Sequence, residues 1–136
     1  MSLAPKMDEL RVTICNSNVF FASITETWLK EHIEDTFVSI PGYNITRLDR
    51  KDIDHGGVCM YVRDSIRFRV LHDFMSDKLE VLWMQILPKR LPRGISSIIA
   101  GTVHHPPSAC DSSMRNYLCQ PRGPFLRLRP HSTWRL

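Results

Sequence analysis

One acidic side chain follows directly on an apolar, strand-like segment near the start of the chain. Residues 19–24 are mostly apolar and rich in aromatic and β-branched types, and Glu26 stands two positions after them. Such a run is typical of a central strand that is covered on both faces. Because open α/β sheets gather their ligands at the carboxyl ends of central strands, Glu26 is a candidate residue for a metal or phosphate site. The alternative is a solvated glutamate in a loop.

The hydrophobic pattern predicts the elements that would position Glu26. Met7, Leu10 and Ile14 stand at helical spacing behind Pro5, which predicts an amphipathic helix over residues 4–15. Further strands are predicted over residues 43–49, 57–62, 65–74, 79–87 and 95–103, the last two of which form a hairpin. The Gly56-Gly57 pair indicates a turn or a close backbone approach, and Asp111 or Ser112 is a candidate cap for a last helix.

The composition fits a globular domain whose charge is unevenly distributed. The chain has 136 residues, of which 43% are hydrophobic and 24% charged, and its formal net charge is +4. Residues 115–136 contain five Arg and no acidic residue, so this segment alone accounts for the net charge. We predict that residues 119–136 form a basic, disordered tail, because they have no sustained apolar period.

Neither the cysteines nor the N-terminus indicates a metal site, secretion or a membrane. The four cysteines, at positions 15, 59, 110 and 119, have no CxxC spacing and are predicted to be free thiols. Cys59 lies in a predicted strand and should be buried. No segment approaches the roughly 20 apolar residues of a membrane helix. We therefore expect an intracellular protein of the nucleus or cytoplasm that makes no membrane contact.

Five blocks of sequence, in order, resemble the endonuclease domain encoded by non-LTR retrotransposons. They are ITETWL at 24–29, IPGYNITRLDR at 40–50, GGVCMYVRDSI at 56–66, LEVLWMQI at 79–86 and GTVHHPPS at 101–108. That domain accompanies a reverse transcriptase and belongs to the endonuclease/exonuclease/phosphatase superfamily, with apurinic endonucleases and pancreatic-type deoxyribonucleases. The resemblance covers about residues 3–118. It implies an α+β fold, namely the N-terminal part of a DNase-like four-layer α/β sandwich with a mostly antiparallel sheet.

The resemblance also implies roles for individual residues. Glu26 corresponds to the carboxylate that binds Mg²⁺ in the family. His104 stands at a strand end where the retrotransposon and apurinic enzymes show Tyr and the pancreatic-type nucleases show His, and either side chain can donate to a phosphate oxygen. In the pancreatic-type pattern Glu80 would orient His104, because a neighbouring carboxylate holds an imidazole in place. The alternative is that His104 is a drifted Tyr and His105 a loop residue.

Most of the remaining catalytic residues of the family have no counterpart in this sequence. The family's first strand, which ends in Asn, would precede Leu3, while its GDFN phrase and its Ser-Asp-His triplet would follow Leu118. Asp111 and His131 do not lie in matching phrases. The resemblance therefore implies a fragment of a metal-dependent, apurinic-type DNA endonuclease. DNA would be the partner of the complete form, and the fragment would have negligible activity.

Two other interpretations stay open at the level of sequence. The first is a non-catalytic remnant that binds nucleic acid, and the second is an unstable pseudogene product with uncovered apolar sheet faces. Tyr43, Arg47, Arg63 and Arg67 are candidates for contacts with a nucleic-acid backbone, although exposed Arg side chains on strands commonly serve only solubility. The sequence does not determine the oligomeric state.

Overall fold

The computed structural model describes residues 3–49, 56–74, 79–105 and 111–119, and the chain divides into two compact units, Met1–His104 and His105–Leu136. The described helices are α1 (Met7–Ser17), α2 (Asp35–Val38) and α3 (Asp111–Cys119), of which α3 belongs to the second unit. The described strands are β1 (Phe21–Thr25), β2 (Tyr43–Leu48), β3 (Val58–Arg63), β4 (Arg67–Val70), β5 (Glu80–Leu87) and β6 (Ile98–His104). Among these helices none is long and apolar enough to cross a membrane.

The described strands of the first unit form two antiparallel sheets of three strands each. β3 lies between β1 and β2, and β5 lies between β4 and β6. The two middle strands are buried along nearly their whole length, whereas the outer strands β1 and β4 alternate between exposed and partly buried residues. The predicted α+β class and the predicted hairpin of β5 with β6 are therefore confirmed.

The middle strand β3 contributes to two hydrophobic clusters because its side chains alternate between its two faces. On one face, apolar residues of β3 pack against apolar residues of β5, and the two sheets meet there; the cluster is Val58, Met60, Val62, Leu82, Met84 and Ile86. On the other face, Cys59 and Tyr61 pack with Met7 and Ile14 of α1. Cys59 is a buried free thiol, as predicted, and burial raises its pKa to about 12.

β1 is an edge strand in the described part of the molecule, so the prediction that it is central is wrong. There it pairs with β3 alone, and Phe20 and Phe21 at its start are 65% and 42% exposed. The apolar run over residues 19–24 predicted the wrong position for β1, because a continuous apolar pattern does not distinguish core residues from those that line a surface groove. β3 takes the central position instead.

Gly101 of β6 leaves room for the indole of Trp83, its directly paired neighbour on β5. A Cβ at position 101 would lie 2.4 Å from the buried indole ring. We expect Gly101→Ala to lower the free energy of unfolding by about 2 kcal/mol, because the ring must leave its position. Urea unfolding measures this loss. A second change, Trp83→Leu, should remove the clash, so a double-mutant cycle that shows simple additivity would contradict this account.

Candidate functional site

Glu26, His104 and Glu80 form one continuous row of contacts in the first unit. Glu26 follows the last residue of β1, His104 ends β6, and Glu80 begins β5 directly opposite His104. The Nε2 atom of His104 lies 2.5 Å from Oε1 of Glu26, and its Nδ1 atom lies 2.6 Å from Oε2 of Glu80. The contact of Glu80 with His104, which is one of the two alternatives left open by the sequence, is present, and the structure adds the contact with Glu26. We call these three residues the Glu–His–Glu row.

The imidazole of His104 has a carboxyl oxygen at hydrogen-bond distance from each ring nitrogen, so each contact must contain a hydrogen atom. Either the ring is an imidazolium between two carboxylates, or a neutral ring lies beside one protonated carboxyl group. The side chains of His104 and Glu80 are each 10% exposed, whereas that of Glu26 is 45% exposed. The Glu–His–Glu row can therefore pass a proton between a buried carboxyl group and one that solvent or a ligand can reach.

The backbone of Glu26 and Trp28 adopts an uncommon conformation that turns the carboxylate of Glu26 toward His104. Their φ angles are 59° and 52°, in the left-handed region that costs a residue with a side chain about 1 kcal/mol or more. The turn is held from the β3 side: the N–H of Thr27 donates to Gly57 O at 3.2 Å, and the N–H of Trp28 donates to Gly56 O at 2.8 Å. Backbone strain of this kind clusters at functional sites.

The Gly56-Gly57 segment at the start of β3 anchors both carboxyl groups of the row. The N–H of Gly57 donates to Oε2 of Glu80 at 3.1 Å, while its carbonyl accepts from Thr27. The φ angles of Gly56 and Gly57 are 101° and 85°, which glycine adopts without strain. The close backbone approach that the Gly-Gly pair predicts is therefore present, although its role in holding the row could not be read from the sequence.

Trp28 contributes a polar contact that the sequence did not indicate. Its Nε1–H donates to Oε2 of Glu26 at 2.7 Å. This hydrogen bond is the main reason that the pKa of Glu26 is lowered; the charge and hydrogen bond of His104 and the Gly56 backbone act in the same direction, against partial desolvation. Trp28 and His104 thus occupy one oxygen each of the Glu26 carboxylate, which favours its ionised form.

Trp28→Phe is expected to raise the pKa of Glu26 toward its ordinary value of 4.5, because the main hydrogen bond that lowers it is removed. A lowered pKa means that Glu26 stabilises the fold above its ordinary pKa and that this contribution is lost as the pH falls through the lower folded value. In Trp28→Phe this contribution of Glu26 to stability should begin to be lost at a higher pH. The carboxyl ¹³C shift of Glu26, followed by NMR, measures the titration. Tyr43→Phe, which removes a hydrogen bond to Val19 O, is the control and should leave the midpoint unchanged.

The described residues offer too few ligands for a resident magnesium ion. Mg²⁺ prefers an octahedron of oxygen ligands, of which the protein commonly supplies one or two carboxylates. Glu26 is the accessible carboxylate of the row, yet both its oxygens already have partners in the protein. No group of three or more His, Cys, Asp or Glu residues that could hold a metal ion occurs within the described ranges. Glu26 alone does not complete a magnesium site.

Two of the arginines considered for nucleic-acid contacts are engaged within the protein. Arg47 pairs through Nε with Asp35 at 3.2 Å and with Asp49 at 3.0 Å. The guanidinium of Arg63 lies 5.5 Å from the centre of the Phe20 ring and donates to Oδ1 of Asn18 at 2.6 Å. Both side chains therefore have structural contacts that a phosphate group would have to displace.

Comparison with known proteins finds no family model, no curated protein and no solved structure that matches this chain. The basis for a functional assignment is therefore the geometry of the Glu–His–Glu row together with the ordered sequence blocks that contain its three residues.

Proposed function

We propose that this chain is a fragment of a metal-dependent, apurinic-type DNA endonuclease domain of the retrotransposon kind. The observation that carries the proposal is the contact of His104 with both Glu26 and Glu80. The two packed sheets and α1 would then be part of a DNase-like four-layer sandwich. DNA is the partner of the complete, intracellular form, and Mg²⁺ is its metal.

Each residue of the row has a defined task in this proposal. His104 donates its Nε2–H to a phosphate oxygen that takes the place of the Glu26 oxygen now 2.5 Å away. Glu80, held by the N–H of Gly57, keeps the ring in the orientation that this donation needs. Glu26 would be one carboxylate of the metal site in the complete form, where the ion would supply positive charge to the phosphate group.

The chain as it stands is expected to be inactive. Phosphodiester hydrolysis requires a base to activate water and donors for the charge that develops on the phosphate, and removal of either typically lowers the rate by about 10²-fold or more. The family phrases that would supply these groups have no counterpart in the sequence. We expect no nicking of abasic or plasmid DNA above the background given by Glu26→Ala. Magnesium-dependent nicking that disappears in Glu26→Ala, but persists in a Glu9→Ala control on the exposed surface of α1, would contradict this expectation.

A binding experiment separates the fragment hypothesis from a non-catalytic nucleic-acid-binding remnant. A deoxynucleoside 3′,5′-bisphosphate should shift the NMR signals of Glu26 and His104, and Glu80→Gln should weaken these shifts because the ring is held less firmly. Shifts confined to residues 119–136, with a steep dependence on salt, would favour the binding remnant instead.

The coding sequence offers an independent test. If the chain derives from a retrotransposon endonuclease, at least one of the three reading frames beyond the codon for Leu118 should encode a GDFN-like phrase. Its absence from every frame would count against the proposed origin.

A further inference from the structure

A second concave surface lies at the opposite end of β1 and β6 from the Glu–His–Glu row. It is a groove of about 530 Å³ that begins at Phe21, the first residue of β1, and at Ile98, the first residue of β6. Glu26 and His104 stand at the other ends of the same two strands. Since an extended strand rises about 3.3 Å per residue, Phe21 and Glu26 are roughly 16 Å apart. The groove is therefore separate from the row.

The walls of this groove are apolar. Among the lining residues, Ile86 is 3% exposed, while Phe20, Phe21 and Ile98 remain 65%, 42% and 42% exposed. Its volume lies in the range of about 300–1,000 Å³ found for small-molecule sites. The lining residues include no amide or carboxylate side chain that could recognise the polar edge of a base. The groove thus fits a hydrocarbon chain better than a nucleobase.

Positive charge is concentrated at one side of the groove. Lys89 and Arg90, both exposed, are adjacent lining residues on the connection between β5 and β6. That connection, residues 88–97, contains three basic residues and no acidic one. The lining itself contains no acidic residue. A ligand that matches both features has an apolar body and an anionic head.

We propose that this groove binds a free fatty acid, with its alkyl chain against Phe21, Ile66 and Ile98 and its carboxylate beside Lys89 and Arg90. Each buried methylene strengthens binding by up to about fourfold, and the guanidinium of Arg90 can bind the carboxylate through two parallel hydrogen bonds. This site does not depend on the endonuclease proposal, because it shares no residue with the Glu–His–Glu row.

Laurate and decanoate, titrated below their micelle concentrations, test the proposal. Calorimetry should show laurate binding about tenfold tighter than decanoate, because two methylenes are lost. The shifted methyl signals in NMR should be those of Ile66, Ile86, Leu91 and Ile98. Ile98→Glu places a carboxylate in the apolar wall at an exposed position and should weaken laurate at least about tenfold.

Charge variants test the placement of the head group. The double change Lys89→Glu with Arg90→Glu should weaken laurate by about tenfold at low salt and leave the neutral alcohol of the same chain length nearly unaffected. Arg93→Glu is the matched control, since Arg93 lies on the same connection but outside the lining, and it should have a much smaller effect. Equal weakening of acid and alcohol, methyl shifts outside the groove, binding only to anionic vesicles, or a change to a dimer that covers these methyls would each overturn the proposal.

Discussion

Glu80→Ala is expected to lower the free energy of unfolding by about 3 kcal/mol and to release His104 from its present orientation. Glu80 as a whole residue is 9% exposed, and its Oε2 atom contacts both Nδ1 of His104 and the N–H of Gly57. Its removal leaves two buried hydrogen-bonding groups without their partner, and the breaking of a buried pair from one side typically costs about 3–5 kcal/mol. Urea unfolding measures the stability, and the ring ¹⁵N shifts of His104 report its orientation.

Two control variants distinguish the loss of the Glu80 contacts with His104 and Gly57 from the loss of any buried polar side chain. Glu80→Gln keeps an acceptor oxygen and nearly the same volume, so it should cost only about 1 kcal/mol. Gln85→Ala alters another polar residue of β5 that is 9% exposed and whose Nε2–H donates to Ser97 Oγ, and it should cost about 1 kcal/mol. If Glu80→Ala proved no more costly than Gln85→Ala, the anchoring role of Glu80 would be wrong.

Gly57→Ala should lower the free energy of unfolding by about 3 kcal/mol and loosen both carboxyl groups of the row. The φ angle of Gly57 is 85°, and a Cβ there would lie 2.5 Å from Oγ1 of the fully buried Thr27. The unfavourable backbone conformation costs about 1–2 kcal/mol, and overpacking in the core adds about 1–3 kcal/mol. Because Thr27 stands between Glu26 and Trp28, its displacement should also disturb the Glu26 carboxylate.

A second glycine of the chain provides a control for the cost of the left-handed backbone conformation alone. Gly94 has a φ angle of 88°, and nothing lies within 4 Å of a Cβ built there. Gly94→Ala should therefore cost about 1–2 kcal/mol, which is the conformational part alone. Thr27→Ala combined with Gly57→Ala should recover much of the difference, since Oγ1 of Thr27 makes no hydrogen bond that would be lost. Equal losses in Gly57→Ala and Gly94→Ala would show that the contact with Thr27 is unimportant.

Periodicity predicted the strands well because an alternating or continuous apolar pattern is a local property. The alternation of β4, the buried run of β5 and the hairpin of β5 with β6 all agree with the sequence. The same local pattern could not place β1 in its sheet, since position within a sheet depends on which other strands are available to pair. Phe20 and Phe21 consequently line a groove although their run resembles a core strand.

Some features of the candidate site could likewise be predicted from the sequence, and others could not. The sequence by itself determined that Glu26 follows a strand, and one of the two patterns implied by the resemblance paired Glu80 with His104. Only the tertiary structure decided that His104 contacts both carboxylates, that Trp28 donates to Glu26, and that Gly56 and Gly57 hold the turn. The contacts of His104 and of the two glycines join residues far apart in the chain, and the contact of Trp28 with Glu26 depends on the left-handed backbone at both residues. Neither long-range contacts nor strained angles leave a periodic signal in the sequence.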